Sequence, residues 1–245
     1  MEPRIILDVV TIGAVLAVLF TATLVHASLG FGTALVSMPL LVILLGLQVA
    51  TPLVGLAAAV TVTVVLGREW RNMDVRSAWQ LIVASLVGIP IGLLLLRAAP
   101  EYLVKTILGL TLVGYGIYNL GKPELPKIRP GRWVYLFGFA AGVLGGAYNT
   151  NGPPIVLYGA LRKWSVQEFR ATVQGYFFPT AVLICGGHAA AGLWSAEVFK
   201  LFAFALPVVL LGNIVGIRLG RRIPAELFTR VLHAALVALG LLMFV

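Results

Sequence analysis

The sequence predicts an all-α polytopic membrane protein, and its composition supports this fold class in two ways. Of its 245 residues, 60% are apolar and only 11% are charged, whereas soluble domains carry roughly 25% charged residues. The charges are also segregated, because none falls in residues 9–67, 133–161 or 171–196. A spanning helix needs about 20 mostly apolar residues, so each stretch holds one span or several. The chain is therefore expected to form a single transmembrane domain over residues 1–245.

The positive net charge does not indicate nucleic-acid binding. A net charge of +9 would suggest it in a soluble protein, but loop Lys and Arg residues are what orients a membrane protein. The single cysteine, Cys185, lies in an apolar run, so neither a disulfide framework nor a thiolate metal site is expected. No cofactor is expected. The N-terminal segment is interpreted as a retained first helix and not as a signal peptide.

Ten apolar segments follow one another along the chain. They lie at about 4–25, 34–47, 49–66, 78–96, 102–120, 132–148, 153–161, 170–191, 198–219 and 227–245. The connector 121–131 (GKPELPKIRPG) holds three prolines and two glycines, which a helix interior does not tolerate. It divides the chain into two halves of five segments, 4–120 and 132–245.

The two halves resemble each other, which indicates an internal duplication of the kind found in transporter folds. Six pairs share an offset of 124 and two earlier pairs share an offset of 115. The first set is Trp70–Trp194, Gly88–Gly212, Gly92–Gly216, Arg97–Arg221, Pro100–Pro224 and Gly116–Gly240, and the second is Gly30–Gly145 and Pro39–Pro154.

The Lys and Arg residues predict the topology. Four loops, at 67–77, 121–132, 162–170 and 218–230, hold 14 of the 18 basic residues. If all ten segments cross the membrane, these loops share one face, which the positive-inside rule makes cytoplasmic. Both termini are then extracytoplasmic and the two five-helix repeats are inverted. If 153–161 instead turned back, the later basic loops would lie outside and the rule would fail, so crossing is favoured.

Two segments in equivalent positions are too short to span. At 1.5 Å per residue, 34–47 is about 21 Å long and 153–161 about 14 Å, against about 30 Å of hydrocarbon. Each follows a run rich in glycine and small polar residues, at 26–33 and 142–154. Broken helices in matching positions of inverted repeats indicate a site near the membrane midplane. Helix N-termini would begin near Thr33 and Gly152–Pro153, and these attract anions.

The polar residues of the spans favour an anion. The span interiors contain no Asp or Glu; the nearest, Asp8 and Glu101, lie near segment ends. Cation-coupled and proton-coupled porters usually carry an intramembrane carboxylate. The candidate substrate-binding residues are His26, Ser28, Gly30, Gly32, Thr33, Asn149, Thr150, Asn151, Gly152 and Pro153, with Gln174, Tyr176, Asn213 and Arg218 as further candidates.

Several of these residues have alternative interpretations. His26 either contacts the anion or exchanges a proton, or it is a neutral residue bonded to a backbone carbonyl. Asn149 and Asn151 are ligand donors, helix caps, or both. For His188, packing is favoured over chemistry. Arg218 lies deeper in its segment than the other arginines, and its charge is either functional or snorkels to the interface.

Two stretches are similar to a known family. GFGTALVSMPLL (30–41) and GGAYNTNGPPIVLYGALRKWSVQEFRAT (145–172) resemble the two halves of the TauE/SafE family of sulfite and organosulfonate exporters. The resemblance covers essentially the whole chain. The chain departs from the family pattern at Gly30–Thr33, where a run of three glycines is usual, and at AYNTNG, which replaces a more apolar turn. Both departures fall in the expected site and permit a variant specificity.

The resemblance implies a secondary transporter, an exporter, of small sulfur-containing anions such as sulfite or organosulfonates across the inner membrane. An importer of the same anions and a passive anion channel remain alternatives, the latter because a static pore also uses positive helix dipoles. A scaffold subunit would not need broken helices with convergent polar groups. An enzyme would need a nucleophile with a base, or a metal cluster, and is disfavoured because the spans offer one Cys, three scattered His and no carboxylate pair. The substrate, direction, coupling ion and oligomeric state are left open.

Overall fold

A computed structural model describes residues 8–69, 73–121, 127–129, 131–220 and 225–244. These ranges form ten α-helices and no β-strand, so the predicted all-α class is confirmed. The helices are α1 (Val9–Leu29), α2 (Thr33–Leu45), α3 (Leu47–Glu69), α4 (Val75–Ala98), α5 (Glu101–Leu120), α6 (Trp133–Tyr148), α7 (Gly152–Arg162), α8 (Val166–Ala190), α9 (Ala196–Leu219) and α10 (Ala225–Leu242).

Short polar side chains begin several of these helices. Asp8 accepts a hydrogen bond from the Thr11 amide at 2.8 Å and caps α1. The hydrogen bonds from Thr11 hold the pKa of Asp8 below its usual range. Ser165 and Glu168 form a reciprocal capping box at the start of α8, which satisfies two amides that a helix end leaves unpaired. These caps place the helix starts in the polar connectors.

Five of the described helices, α1, α3, α4, α5 and α9, are long and apolar enough to cross a membrane. By contrast α2 has 13 residues and α7 has 11, or about 20 and 17 Å of helix. The predicted pair of short helices in matching positions is therefore present. Whether the short helices complete a crossing stays a prediction, as does the orientation of the termini.

The breaks before the short helices are narrower than the sequence suggested. Helix α1 continues to Leu29 and α6 to Tyr148, so the unwound stretches are only 30–32 and 149–151. His26 and Ser28 thus lie in the last turn of α1, and 142–148 is helical despite its glycines. The reason is close packing: a Cβ at Gly142 or Gly146 would collide with the backbone of α4, and glycine permits this approach between membrane helices.

Glycines permit close approach in three helix pairs, α4 with α6, α1 with α9 and α5 with α10. A Cβ at Gly88 would collide with the backbone of Phe139 on α6, and one at Gly212 would lie 2.8 Å from the backbone oxygen of Phe20 on α1. The GxxxG interpretation of these pairs is confirmed in this packing. Helix α5 packs against α10 in the same manner, since Gly116 meets the backbone of His233 and Gly240 meets that of Gly109.

These contacts relate the two halves. Helix α1 packs on α9 as α6 packs on α4. The contact of Gly88 with Phe139 is equivalent to that of Gly212 with Phe20, with the two halves in exchanged roles. The equivalent residues of α4 and α9 keep the offset of 124 found in the sequence. The offset of 115 for Gly30–Gly145 and Pro39–Pro154 is wrong: the C-cap of α1 is Gly30 and that of α6 is Asn149, so 149 − 30 gives 119. The sequence match favoured like residues, whereas these helix ends match in backbone conformation.

Some residues of the predicted repeat and topology lie outside the described part of the chain. These are Arg4, Trp70, Arg221, Arg222 and Pro224. The exchange of contacts between halves is what a two-fold axis between them would produce. The inversion of the halves across the membrane stays a prediction.

Candidate functional site

Both breaks begin with a residue in the left-handed backbone region. Gly30 has φ of 92° and ends α1, while Asn149 has φ of 58° and ends α6. Glycine adopts this conformation without a Cβ penalty, and Asn is the side chain that tolerates it best. Gly32, with φ of 117°, also lies in this region and precedes α2. Each break thus turns sharply within three residues into a new helix.

The two breaks line one cavity of about 40 Å³. Its walls come from the breaks, from the first turns of α2 and α7, and from α3 and α8. The lining residues are His26, Gly32, Thr33, Ala34, Leu35, Gly55, Ala58, Val62, Asn149, Thr150, Asn151, Gly152, Phe177, Ala181 and Ile184. Ala58 is the central residue of the 23-residue α3, and Phe177 is next to the central residue of the 25-residue α8. The cavity therefore lies midway along two long helices.

The N-termini of both short helices contribute to the cavity wall. Helix α2 begins at Thr33 and α7 at Gly152, and neither has a side-chain cap hydrogen bond. The first amides of a helix have no partner within it, and they carry a partial positive charge. In α7 the next two residues are prolines, which lack an N–H, so Gly152 is the donor of that turn. Two uncapped helix N-termini thus converge on one small cavity.

His26 and Thr33 form the polar corner of the cavity on the first break. Nδ1 of His26 lies 2.8 Å from the hydroxyl oxygen of Thr33, and Nε2 lies 3.5 Å from the Gln174 amide nitrogen. An amide nitrogen only donates, so in the tautomer that matches this contact Nε2 accepts and Nδ1–H donates to Thr33. The hydroxyl hydrogen of Thr33 is then left to donate into the cavity. The sequence left open that His26 bonds to a backbone carbonyl. Its ring contacts two side chains instead, those of Thr33 and Gln174.

The second break contributes side chains that are partly engaged. The Asn149 amide nitrogen donates to the Thr51 carbonyl at 2.7 Å, and the Asn151 amide nitrogen lies 3.4 Å from the Thr180 hydroxyl. Thr150 is buried and its hydroxyl lies 3.5 Å from the Leu144 carbonyl. Neither Asn forms the side-chain helix cap considered from the sequence. Of the two Asn side chains, Asn151 has the longer contact and is the more readily redirected to a ligand.

Three of the ten primary candidates do not line the cavity. Ser28 donates to the carbonyls of Leu24 and Gly216, at 2.8 and 2.9 Å, and so links α1 to α9. The carbonyl of Gly30 accepts from Gln174 at 2.6 Å. Pro153 is buried in the first turn of α7. These residues shape the breaks and do not face the cavity.

The four further candidates also lie away from the lining. Gln174 is buried behind His26, and the Tyr176 hydroxyl bonds Ser85 at 2.8 Å. Asn213 donates to Thr61 at 3.1 Å and joins α9 to α3. Arg218 is exposed in the last turn of α9, so it lies on the surface, as snorkelling requires, and not in the cavity.

Two groups of site residues were not identified from the sequence. Small and apolar side chains of α3 and α8 line the cavity, and nothing in their local pattern distinguishes them from other lipid-facing or packing residues. Arg170 donates to the Ser28 carbonyl at 2.7 Å, beside the Gln174–Gly30 bond. In the sequence, Arg170 is marked only by its place in the FRAT motif at 169–172. One turn apart on α8, Arg170 and Gln174 bind the end of α1, where carbonyls lack helical partners.

The described residues contain no group of three or more His, Cys, Asp or Glu side chains close enough to hold a metal ion. Cys185 is buried and not in a disulfide. Among the described residues that line the cavity there is also no Lys, Arg, Asp or Glu. The chemistry at this site is therefore that of hydroxyl, amide and backbone N–H donors.

A helical membrane bundle with two broken helices that meet at one cavity is the arrangement expected of a multi-pass membrane transporter. The family model described as "Sulfite exporter TauE/SafE" matches residues 15–243, and the chain belongs to this family. The resemblance found in the two Gly-rich stretches is thereby confirmed.

Two curated relatives are similar over much of the chain. One is TsaS of Comamonas testosteroni, named as a probable inner membrane transporter protein, with 29% identity over 71% of this chain and 74% of its own. The other is TauE of Cupriavidus necator, named as a probable sulfite/organosulfonate exporter, with 24% identity over 66% of each chain. No solved structure matches the chain.

Proposed function

We propose that the protein is a secondary transporter that exports sulfite or a small organosulfonate across the inner membrane. Family membership and the names of the two relatives support this substrate class and location. The observation that carries the proposal is the convergence of two uncapped helix N-termini on one cavity. A helix N-terminus binds anions through its free amides and its dipole.

The cavity matches the substrate in size and in donors. A buried water needs roughly 10–15 Å³ on the same measure, so about 40 Å³ accommodates about three water-sized groups, the scale of a sulfite ion or a sulfonate head group. Three acceptor oxygens suit donors from two directions: the Thr33 hydroxyl and α2 amides on one side, Asn151 and the Gly152 amide on the other. With no basic side chain among the lining residues, the anion would be bound by neutral donors alone.

The exchange of contacts between halves supports alternating access. Helices α1 and α2 pack on α9 and α3, while α6 packs on α4 and α8 and α7 packs on α8, so each break lies in a different group of helices, and each group draws on both sequence halves. Movement of one group against the other would open the cavity at one break while the other break still binds the anion. Such rocking around a fixed site is the usual behaviour of repeat-built transporters.

Counterflow in proteoliposomes tests the function. Purified protein is reconstituted with unlabelled sulfite inside, and uptake of ³⁵S-sulfite is followed, with sulfate and chloride as competing anions. A carrier gives trans-stimulated uptake, and Asn151→Ala lowers it about tenfold to a hundredfold, since a hydrogen bond to a charged partner contributes roughly 1.5–3 kcal/mol. Uptake without trans-stimulation would instead establish a passive channel, and no uptake of any sulfur oxyanion would exclude the proposed substrate class.

A further inference from the structure

His188 is a fully buried imidazole on α8 whose role is unassigned. Its exposed fraction is 0%, and neither ring nitrogen has a hydrogen-bond partner among the described residues. The backbone of Gly146 lies near the ring but outside hydrogen-bonding geometry. Buried polar side chains are nearly always hydrogen-bonded, and an unpaired one is costly. An imidazole kept in this position therefore indicates a use beyond packing.

The position of His188 on α8 connects it to the cavity. Phe177, Ala181 and Ile184 line the cavity, and His188 follows Ile184 by four residues. Residues spaced by three and four share one face of a helix, so His188 continues the lining stripe by one turn. It lies on the side of the second break, whereas His26 lies on the side of the first and has contacts at both nitrogens.

Gly55 on α3 brings His188 together with the second break. A Cβ at Gly55 would lie 3.1 Å from Oδ1 of Asn149 and 3.3 Å from Nδ1 of His188. Gly55 and Asn149 both line the cavity. Because Gly55 has no side chain, Asn149 and the His188 ring both pack closely against the same point of α3, and a larger residue there would crowd both.

We propose that His188 is a second anion-binding residue, which takes over the substrate oxyanion on the side of the second break as the anion leaves the central cavity. This inference rests on the proposed function. The ring N–H donates to a sulfite or sulfonate oxygen once the outward movement of the second break separates Asn149 from Gly55 and joins the ring to the cavity. The path then has one histidine on each side of the cavity.

The test separates anion binding from packing with four variants in the counterflow assay with ³⁵S-sulfite. His188→Leu removes the donor, and His188→Gln keeps an N–H. Gly55→Ala crowds Asn149 and the ring without removing either polar side chain. Gly186→Ala is the matched control, because a Cβ there meets nothing within 4 Å and the residue shares α8 with His188. Thermal unfolding of each variant in detergent is measured in parallel.

We expect His188→Leu and Gly55→Ala to lower counterflow about tenfold or more, His188→Gln to stay within about threefold of the parent, and Gly186→Ala to match it. His188→Leu should unfold at the parent's temperature or higher, because it removes an unpaired buried polar group. If His188→Leu and Gly55→Ala are folded and transport like the parent, the imidazole is a packing residue and the inference is wrong. Absence of counterflow in the parent and in Gly186→Ala would instead remove the proposed function itself, and this subsite with it.

Discussion

The hydroxyl oxygen of Thr33 lies 2.8 Å from Nδ1 of His26, so the first residue of α2 is bonded to the last turn of α1 across the break. Gln174 holds the other side of the imidazole and the Gly30 carbonyl as well. In the tautomer that accepts from the Gln174 amide at Nε2, Nδ1–H donates to Thr33, and the Thr33 hydroxyl hydrogen stays available to a ligand. These contacts make the first break a defined binding element and not a loose linker.

Thr33→Val should weaken sulfite binding about tenfold to a hundredfold while the fold is kept. Valine preserves the shape of the side chain but removes the hydroxyl donor, and a hydrogen bond to a charged ligand contributes roughly 1.5–3 kcal/mol. The dissociation constant measured by calorimetry in detergent checks this. Thr33→Ser, which retains the hydroxyl, is the control and should stay close to the parent. Equal affinities for all three proteins would show that the Thr33 hydroxyl does not contact the anion.

His26→Gln tests whether the histidine carries a coupled proton. No Asp or Glu lies among the described residues of the cavity wall, so His26 is the titratable side chain in that wall. Glutamine keeps hydrogen-bonding capacity toward Thr33 but cannot exchange a proton near neutral pH. We expect the variant to lose the part of the pH dependence that His26 carries and to keep only the part that comes from ionisation of the substrate itself, measured as ³⁵S-sulfite efflux from proteoliposomes. If the variant keeps the full pH dependence of the parent, His26 does not carry a coupled proton.

Arg170→Gln should destabilise the end of α1. The guanidinium donates to the Ser28 carbonyl at 2.7 Å, and a cation is favourable near a helix C-terminus. Loss of a charged hydrogen bond of roughly 1.5–3 kcal/mol corresponds to a fall of about 3–12 °C in unfolding temperature. Arg218→Gln is the matched control, since Arg218 is exposed. If the unfolding temperature falls equally in Arg170→Gln and Arg218→Gln, the effect comes from the lost charge and not from the hydrogen bond to Ser28.

Gly88→Ala and Gly212→Ala should each destabilise the protein by about 1–3 kcal/mol, the usual cost of overpacking. In both cases the added methyl would meet the backbone of the partner helix, and the effects should be similar because the contacts are equivalent between the halves. Thermal unfolding in detergent measures this. Gly114→Ala is the control, as nothing lies within 4 Å of a Cβ there. Two variants as stable as Gly114→Ala would show that the helices do not approach so closely.

The topology predicts opposite accessibility for two exposed positions. Lys127 lies in the basic connector and Val9 at the start of α1. In a Cys185→Ser background, Lys127→Cys should react with an impermeant maleimide only from the cytoplasm, and Val9→Cys only from outside. If Lys127→Cys and Val9→Cys react from the same side, the predicted topology with extracytoplasmic termini and inverted repeats is wrong.

The helices were predictable because their signals are local. Ten apolar segments, the connector at 121–131 and the two short helices follow from hydropathy, length and glycine or proline content within each segment. Seven of the ten primary candidates line the cavity, because donors beside a broken helix are close to its N-terminus in sequence as well as in space. Their role in binding the anion stays a proposal.

The tertiary structure decided what depends on distant partners. Ser28 is engaged by Gly216, 188 positions away, and Asn149 by Thr51, 98 positions away, so neither is a free donor as its residue type suggested. The offset of 119 between the breaks and the clamp made by Arg170 also appear only when α1, α6 and α8 are packed. Hydrophobic periodicity determines which segments become helices, but hydrogen-bond partners and helix approach are set by residues that the chain brings together from both halves.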